Sequence, residues 1–203
     1  MRDMAYAPSL FRVNPAASGR CAAGRGVHGV RAADRAARYG EDKEMLMDGI
    51  VLLKEDHKTV EKLFKQFEKA DENAYAEKRK IVDQVIDELT THTWIEENIF
   101  YPAARESAPD TKDHVLESVE EHHVVVWMLS ELKDLDPKDE RFDAKMSVLM
   151  ENVRHHVEEE EKEWFPDVRK AMGRNRLTEL GEQMEKAKKR APGDPLAVPS
   201  ADR

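Results

Sequence analysis

Between residues 46 and 188 the chain alternates apolar and polar positions with a helical period. Leu46, Ile50, Leu53, His57, Val60, Phe64 and Phe67 follow one another in steps of four and three. That spacing keeps all seven on one helix face. Three more stripes have the same form: Ile81, Val85, Leu89, His92, Glu96 and Ile99; Val115, Val119, His122, Val126, Leu129 and Leu132; and Phe142, Met146, Leu149, Val153, His156, Glu160 and Trp164. Polar breaks at Asp71-Glu72-Asn73, Ser107 to Asp110 and Asp134 to Asp139 separate them. Long helices joined by short connections pack as antiparallel neighbours. The expectation is an all-α fold: an antiparallel up-down-up-down four-helix bundle. A short fifth helix is expected over Arg176–Lys188, with Leu177, Leu180 and Met184 turned inward.

The stripes repeat. Asp56-His57-Lys58-Thr59-Val60 matches Glu121-His122-His123-Val124-Val125 in its acid, histidine and final valine. His92-Thr93-Trp94-Ile95-Glu96, then Phe100-Tyr101-Pro102, matches His156-Val157-Glu158-Glu159-Glu160, then Trp164-Phe165-Pro166. His57 and His92 are 35 residues apart, and His122 and His156 are 34 apart. Each half is thus one helix pair, and two pairs complete the bundle.

This periodicity puts chemistry in the core. Every stripe has a histidine at a core position, and the second and fourth carry a glutamate four residues later. Four residues on a helix span about 6 Å along one face, so His-x-x-x-Glu offers a nitrogen and an oxygen to one small volume. An unpaired buried carboxylate costs several kcal/mol or takes up a proton. Cations at the centre remove that penalty, since metals bind carboxylates and neutral imidazoles. Nitrogen and oxygen donors without sulfur suit iron, and also zinc, copper or nickel. Six side chains exceed the four of a typical zinc site, so two ions fit better. The candidate metal ligands are His57, His92, Glu96, His122, His156 and Glu160.

Other polar residues weigh less. His114, His123 and His155 lie off the stripes and read as surface residues, as does most of the acidic run Glu158 to Glu161 with Glu163. Asp56 and Glu121 are candidate acceptors for ligand histidines, with exposure as the simpler reading. Trp94, Trp127 and Trp164 read as core packing or walls of the site. Glu120 and His123 form a single Glu-x-x-His, where a ferritin-type centre needs two.

Composition narrows the setting. Seven arginines, no lysine and two acids, Asp3 and Asp34, leave residues 1–40 at +5, whereas the chain is −9, so the remainder carries −14. An acidic body repels phosphate and argues against nucleic-acid binding. No apolar run reaches the roughly 18 residues of a membrane span. The lone Cys21 can form neither an internal disulfide nor a thiolate metal site, which suits a cytoplasmic setting. Residues 1–43 are rich in Arg, Ala and Gly without sustained apolar period and read as a disordered tail. Their composition resembles a transit peptide, with a translation start near Met45 or Met47 as the plainer alternative. The bundle domain is expected over 44–190 and a second disordered tail over 191–203.

The motifs DHKTV (56–60), HTWIEENIFYP (92–102), EHHVV (121–125) and HVEEEEKEWFP (156–166) resemble the hemerythrin-like family, whose cation-binding domain carries a repeated His-His-Glu pattern. The resemblance covers roughly residues 47–188. It implies two iron ions in an oxo- or hydroxo-bridged centre, with the four histidines binding through nitrogen and Glu96 and Glu160 bridging. It also implies a small ligand, O2, NO or peroxide, or a response to iron itself. Oxygen-carrying members place a fifth histidine on the third helix, where this chain has Ser118 and Val126. It resembles the four-histidine branch, which moves the expectation from oxygen transport toward sensing or reactivity. Peroxide decomposition at the same centre and a metal-free helical interaction module are the alternatives.

Overall fold

The computed structural model of the chain describes residues 47–197. The tail read over 1–43, the start of the first stripe at Leu46 and residues 198–203 lie outside the described residues. Among those described there is no strand. The helices are α1 (Gly49–Lys69), α2 (Tyr75–Ile95), α3 (Tyr101–Ser107), α4 (Lys112–Asp134), α5 (Phe142–Glu159) and α6 (Phe165–Lys188). One π turn, Glu96–Phe100, joins α2 to α3, and another, Glu160–Trp164, joins α5 to α6. α1, α2 with α3, α4, and α5 with the start of α6 are the four rods of the bundle.

The stripes are the buried faces. From Ile50 onward, every first-stripe residue is buried, as is every residue of the fourth. Asp48 starts α1 by accepting from the Val51 amide at 3.0 Å, and the Arg169 guanidinium forks onto the same carboxylate at 2.9 and 3.0 Å. A side-chain acceptor here satisfies an amide the helix cannot.

The two π turns have one cause. Pro102 and Pro166 each stand two residues past the end of a turn, and proline has no N–H and clashes with the carbonyl four residues back. Widening the turn relieves that clash. The Tyr101 amide accordingly reaches the Glu96 carbonyl, and the Phe165 amide the Glu160 carbonyl, five residues back in each case. The helix therefore continues past each glutamate instead of ending there.

Beyond Phe165 the last helix breaks at Gly173, where φ is 70°. Only glycine adopts such a conformation readily. The following segment carries Leu177, Leu180 and Met184 into the core, as the expected fifth helix does. Its Gly181 lies so close to the start of α1 that a Cβ there would sit 1.9 Å from the Met47 carbonyl oxygen. Within the segment read as the C-terminal tail, Pro195–Ala197 forms a 3-10 turn with Pro195 buried.

The core falls into two apolar clusters. One centres on Phe64, Val85, Leu129 and Phe142, the other on Leu53, Phe100, Trp164 and Leu177. Between them runs a polar layer. Gly181→Ala should push the α6 extension off α1 and lower stability by ~1–3 kcal/mol, the usual range for overpacking. Denaturant unfolding measures it, and an unchanged midpoint would show that this approach is not tight.

Candidate metal centre

The polar layer between the two clusters consists of the six predicted residues. His57 comes from α1, His92 from α2, His122 from α4 and His156 from α5, all buried. Glu96 and Glu160 open the two π turns at 0% and 2% exposure. The helix turns widen where these two carboxylates stand, so the wide turns are part of how the glutamates are aimed.

All four imidazoles turn Nε2 inward. His57 and His92 face each other with nitrogens 3.1 Å apart, and His122 and His156 at 3.2 Å. The Glu96 Oε2 lies 3.1 Å from His92 Nε2 and 3.4 Å from His122 Nε2, so it addresses both pairs. The Glu160 Oε2 does likewise, 3.4 Å from His57 and 3.6 Å from His156. Two groups of donor atoms result, His57, His92, Glu96 and Glu160 beside Glu96, His122 and His156.

Neither oxygen of Glu96 makes a hydrogen bond, and nor does Oε2 of Glu160, although all are buried. Orphaned buried acceptors of this kind cost about 1–3 kcal/mol each, more when charged. Burial and the neighbouring Glu160 push the Glu96 carboxyl well above its ordinary range. Burial also opposes charge on Glu160, yet the imidazoles of His156 and His57 overcome it and hold that carboxyl low. His57 shows the converse: burial favours its neutral form, but Glu160 and Glu161 outweigh that and raise it to about 8. Burial depresses His122, with His156 adding to the effect, and burial also depresses His92. Without a cation, the layer keeps its charge balance only by moving protons among its members.

Each outward Nδ1 faces an acid. Glu161 lies 2.9 Å from His57, Glu97 3.1 Å from His122, Glu121 2.7 Å from His156, and Asp56 3.6 Å from His92. Such acids fix the imidazole tautomer and raise its basicity toward a metal. The arrangement is crossed. Asp56 and Glu121 each precede one histidine but face the histidine of another helix, and Glu97 and Glu161 do the same from beside Glu96 and Glu160.

Two expectations need correction. Asp56 is buried, tied to Lys188 as well as facing His92, and Glu121 is bonded to His156; neither is a plain surface acid. Within the acidic run, Glu161 also belongs to the site, while Glu158 and Glu163 are exposed as expected. Glu97 and Tyr101 also belong to the site, although neither lies among the predicted donors. The Tyr101 hydroxyl donates to Glu160 at 3.1 Å and lies 3.2 Å from His122 Nε2. The Tyr-Pro and Phe-Pro pairs of the repeat were the available signal. Trp164 packs on Tyr101 beneath the layer, whereas Trp127 is 56% exposed and Trp94 only partly buried. His155 is exposed, and His114 and His123 are half-buried outside the layer.

The donor set suits a metal: inward nitrogens and carboxylates without other acceptor duties on most of their oxygens, in one buried layer. The family model of the hemerythrin HHE cation binding domain matches residues 48–168. An uncharacterized hemerythrin-like protein of Schizosaccharomyces pombe is 24% identical over 138 residues, 68% of this chain and 67% of that protein. A solved hemerythrin HHE cation binding domain-containing protein from Mycobacterium kansasii superposes with a TM-score of 0.61 at 23% identity, covering 71% of this chain and 86% of that one. That last likeness is one of fold.

Glu96→Gln removes the least satisfied charge of the layer. In chelator-treated protein it should raise stability by ~1–3 kcal/mol, because the amide is neutral where the carboxylate is penalised. Thermal unfolding in chelator reads this out, and a lowered midpoint would mean that Glu96 is satisfied by something other than a cation.

Proposed function

Because the chain belongs to the hemerythrin HHE cation-binding domain family, we propose that it holds two iron ions between His57, His92, Glu96, His122, His156 and Glu160. The observation that carries this reading is the convergence of four inward nitrogens on two buried carboxylates with unpartnered oxygens. A zinc site takes four ligands, and sulfur-free nitrogen and oxygen donors suit iron. When bound, the iron pair supplies redox chemistry and positions open to a small ligand.

The chain's own residues set what such a pair would meet. Glu96 and Glu160 each face both histidine pairs and so would hold the ions at one spacing. Asp56, Glu97, Glu121 and Glu161 keep the imidazoles oriented. Ser118 and Val126, both buried, offer no fifth imidazole. Six donors leave more open positions than an oxygen carrier has, which favours a protein that responds to O2, NO, peroxide or iron over one that transports O2. Above the layer, Val60, Leu89, Val125 and Val153 line a cavity of about 10 Å³ that exposes all four histidines to roughly one water-sized molecule.

Peroxide decomposition is the second reading. Tyr101 supports it by bringing a hydroxyl donor to Glu160 inside the layer. No helix among the described residues is long and apolar enough to cross a membrane. A cytoplasmic setting fits the lone Cys21.

Purified full-length protein should contain two irons per chain and show ferric-oxo absorption. His92→Ala and Glu96→Ala should lose those bands, together with any peroxide consumption. Metal-free protein of unchanged melting temperature and featureless spectrum would favour the interaction module instead.

A further inference from the structure

The internal repeat gives a built-in comparison between the two sides of the bundle. A shift of 65 residues carries His57 to His122, and a shift of 64 carries His92 to His156. The seam between α1 and α5 therefore has a counterpart between α4 and α2. The two seams are not alike. α2 and α4 approach more closely along their length than α1 and α5.

A groove runs along the α1–α5 seam, and its floor is His57, Val60, Val153 and Val157. These same four residues wall the small cavity over the histidine layer. One thickness of side chain thus separates the groove from the inner cavity. On the opposite seam the counterpart positions are shut: Thr90 replaces Arg154, Thr93 replaces Val157 and Val126 replaces Glu61, and all three are buried. The outer acids record the same difference. The Glu161 side chain, on His57, is 30% exposed, whereas the Glu97 side chain, on His122, is 2% exposed.

Arg154 crosses the groove. Arg154 reaches from α5 to Glu61 at 2.9 Å and Glu68 at 2.8 Å on α1, over the Phe64 ring at 5.7 Å. Its ion pairs are partly exposed, and such pairs are weak enough to open readily.

We propose that the α1–α5 groove, rather than the α2–α4 seam, is a portal through which a small neutral molecule of diatomic size reaches the histidine layer, with Val60, Val153 and Val157 as the gate and Arg154 as its strap. Charged side chains, Lys58, Glu61, Glu158 and Lys162 among them, rim the groove, but the step from its floor to the cavity is made by valines, and such an apolar step passes a neutral diatomic molecule at little desolvation cost and penalises an ion. What travels through the portal rests on the iron reading above; the portal itself does not.

Two probes separate the claims. Crystals of the full chain pressurised with xenon should show xenon against Val60, Val153 and Val157, and Val157→Phe should abolish it. Stopped-flow mixing of the iron-loaded protein with nitric oxide should be slowed at least about tenfold by Val157→Phe. Val148→Phe, on the outer face of α5, should leave the rate unchanged. Arg154→Ala should speed the reaction, and it decides the matter if Val157→Phe does not fold. Xenon in the α2–α4 seam, or nitric oxide rates unaltered in both groove variants, would overturn the portal. If the protein carries no iron, the functional reading fails and the xenon result still decides the groove.

Discussion

The structure depends on one electrostatic constraint: two carboxylates and four imidazoles share a layer that is shut off from water by apolar clusters above and below. Bulk solvent cannot satisfy them, and Glu96 has chiefly the inward imidazole nitrogens of His92 and His122 within reach. Protons can be redistributed, as the raised Glu96 and His57 and the lowered Glu160 indicate, but bound cations would resolve the layer without that redistribution. Much of the surrounding fold follows from keeping these groups aimed inward. The π turns carry the helices past the glutamates, and four acids hold the far side of each ring.

The bundle and the six inward residues were legible in the sequence for a physical reason. A helix that buries one face must repeat its apolar positions every three or four residues, and a polar residue on that face stands out against them. The repeat then showed that His57 and His122, or Glu96 and Glu160, stand out twice. The outer acids were not legible in the same way. Asp56, Glu97, Glu121 and Glu161 adjoin stripe residues, where helical geometry usually points a side chain to solvent. Their partners lie on other helices, so no spacing along one helix could pair Glu121 with His156. The π turns were hidden because one extra residue per turn leaves the apolar pattern almost intact, and only Pro102 and Pro166 mark them.

The halves of the repeat differ where their surroundings differ. Tyr101 and Phe165 hold matched positions and each stacks on a histidine, His122 at 5.5 Å and His57 at 6.1 Å, but only Tyr101 brings a hydroxyl to the layer. The extension of α6 covers α1 and ties Asp56 through Lys188, whereas α4 is met by the Pro195–Ala197 turn. A duplicated scaffold thus presents two unequal sides, one sealed and one grooved, around a nearly symmetric donor set.

The central claim is that this layer exists to hold cations. Anomalous diffraction from crystals of the protein grown with ferrous iron, collected on either side of the iron absorption edge, tests it most directly. The account predicts two peaks inside the layer, one within bonding reach of His57 and His92 and the other of His122 and His156, both against Glu96 and Glu160. Iron found only at surface acids, with the layer empty of anomalous signal and Glu96 hydrogen-bonded to water or protein, would contradict it.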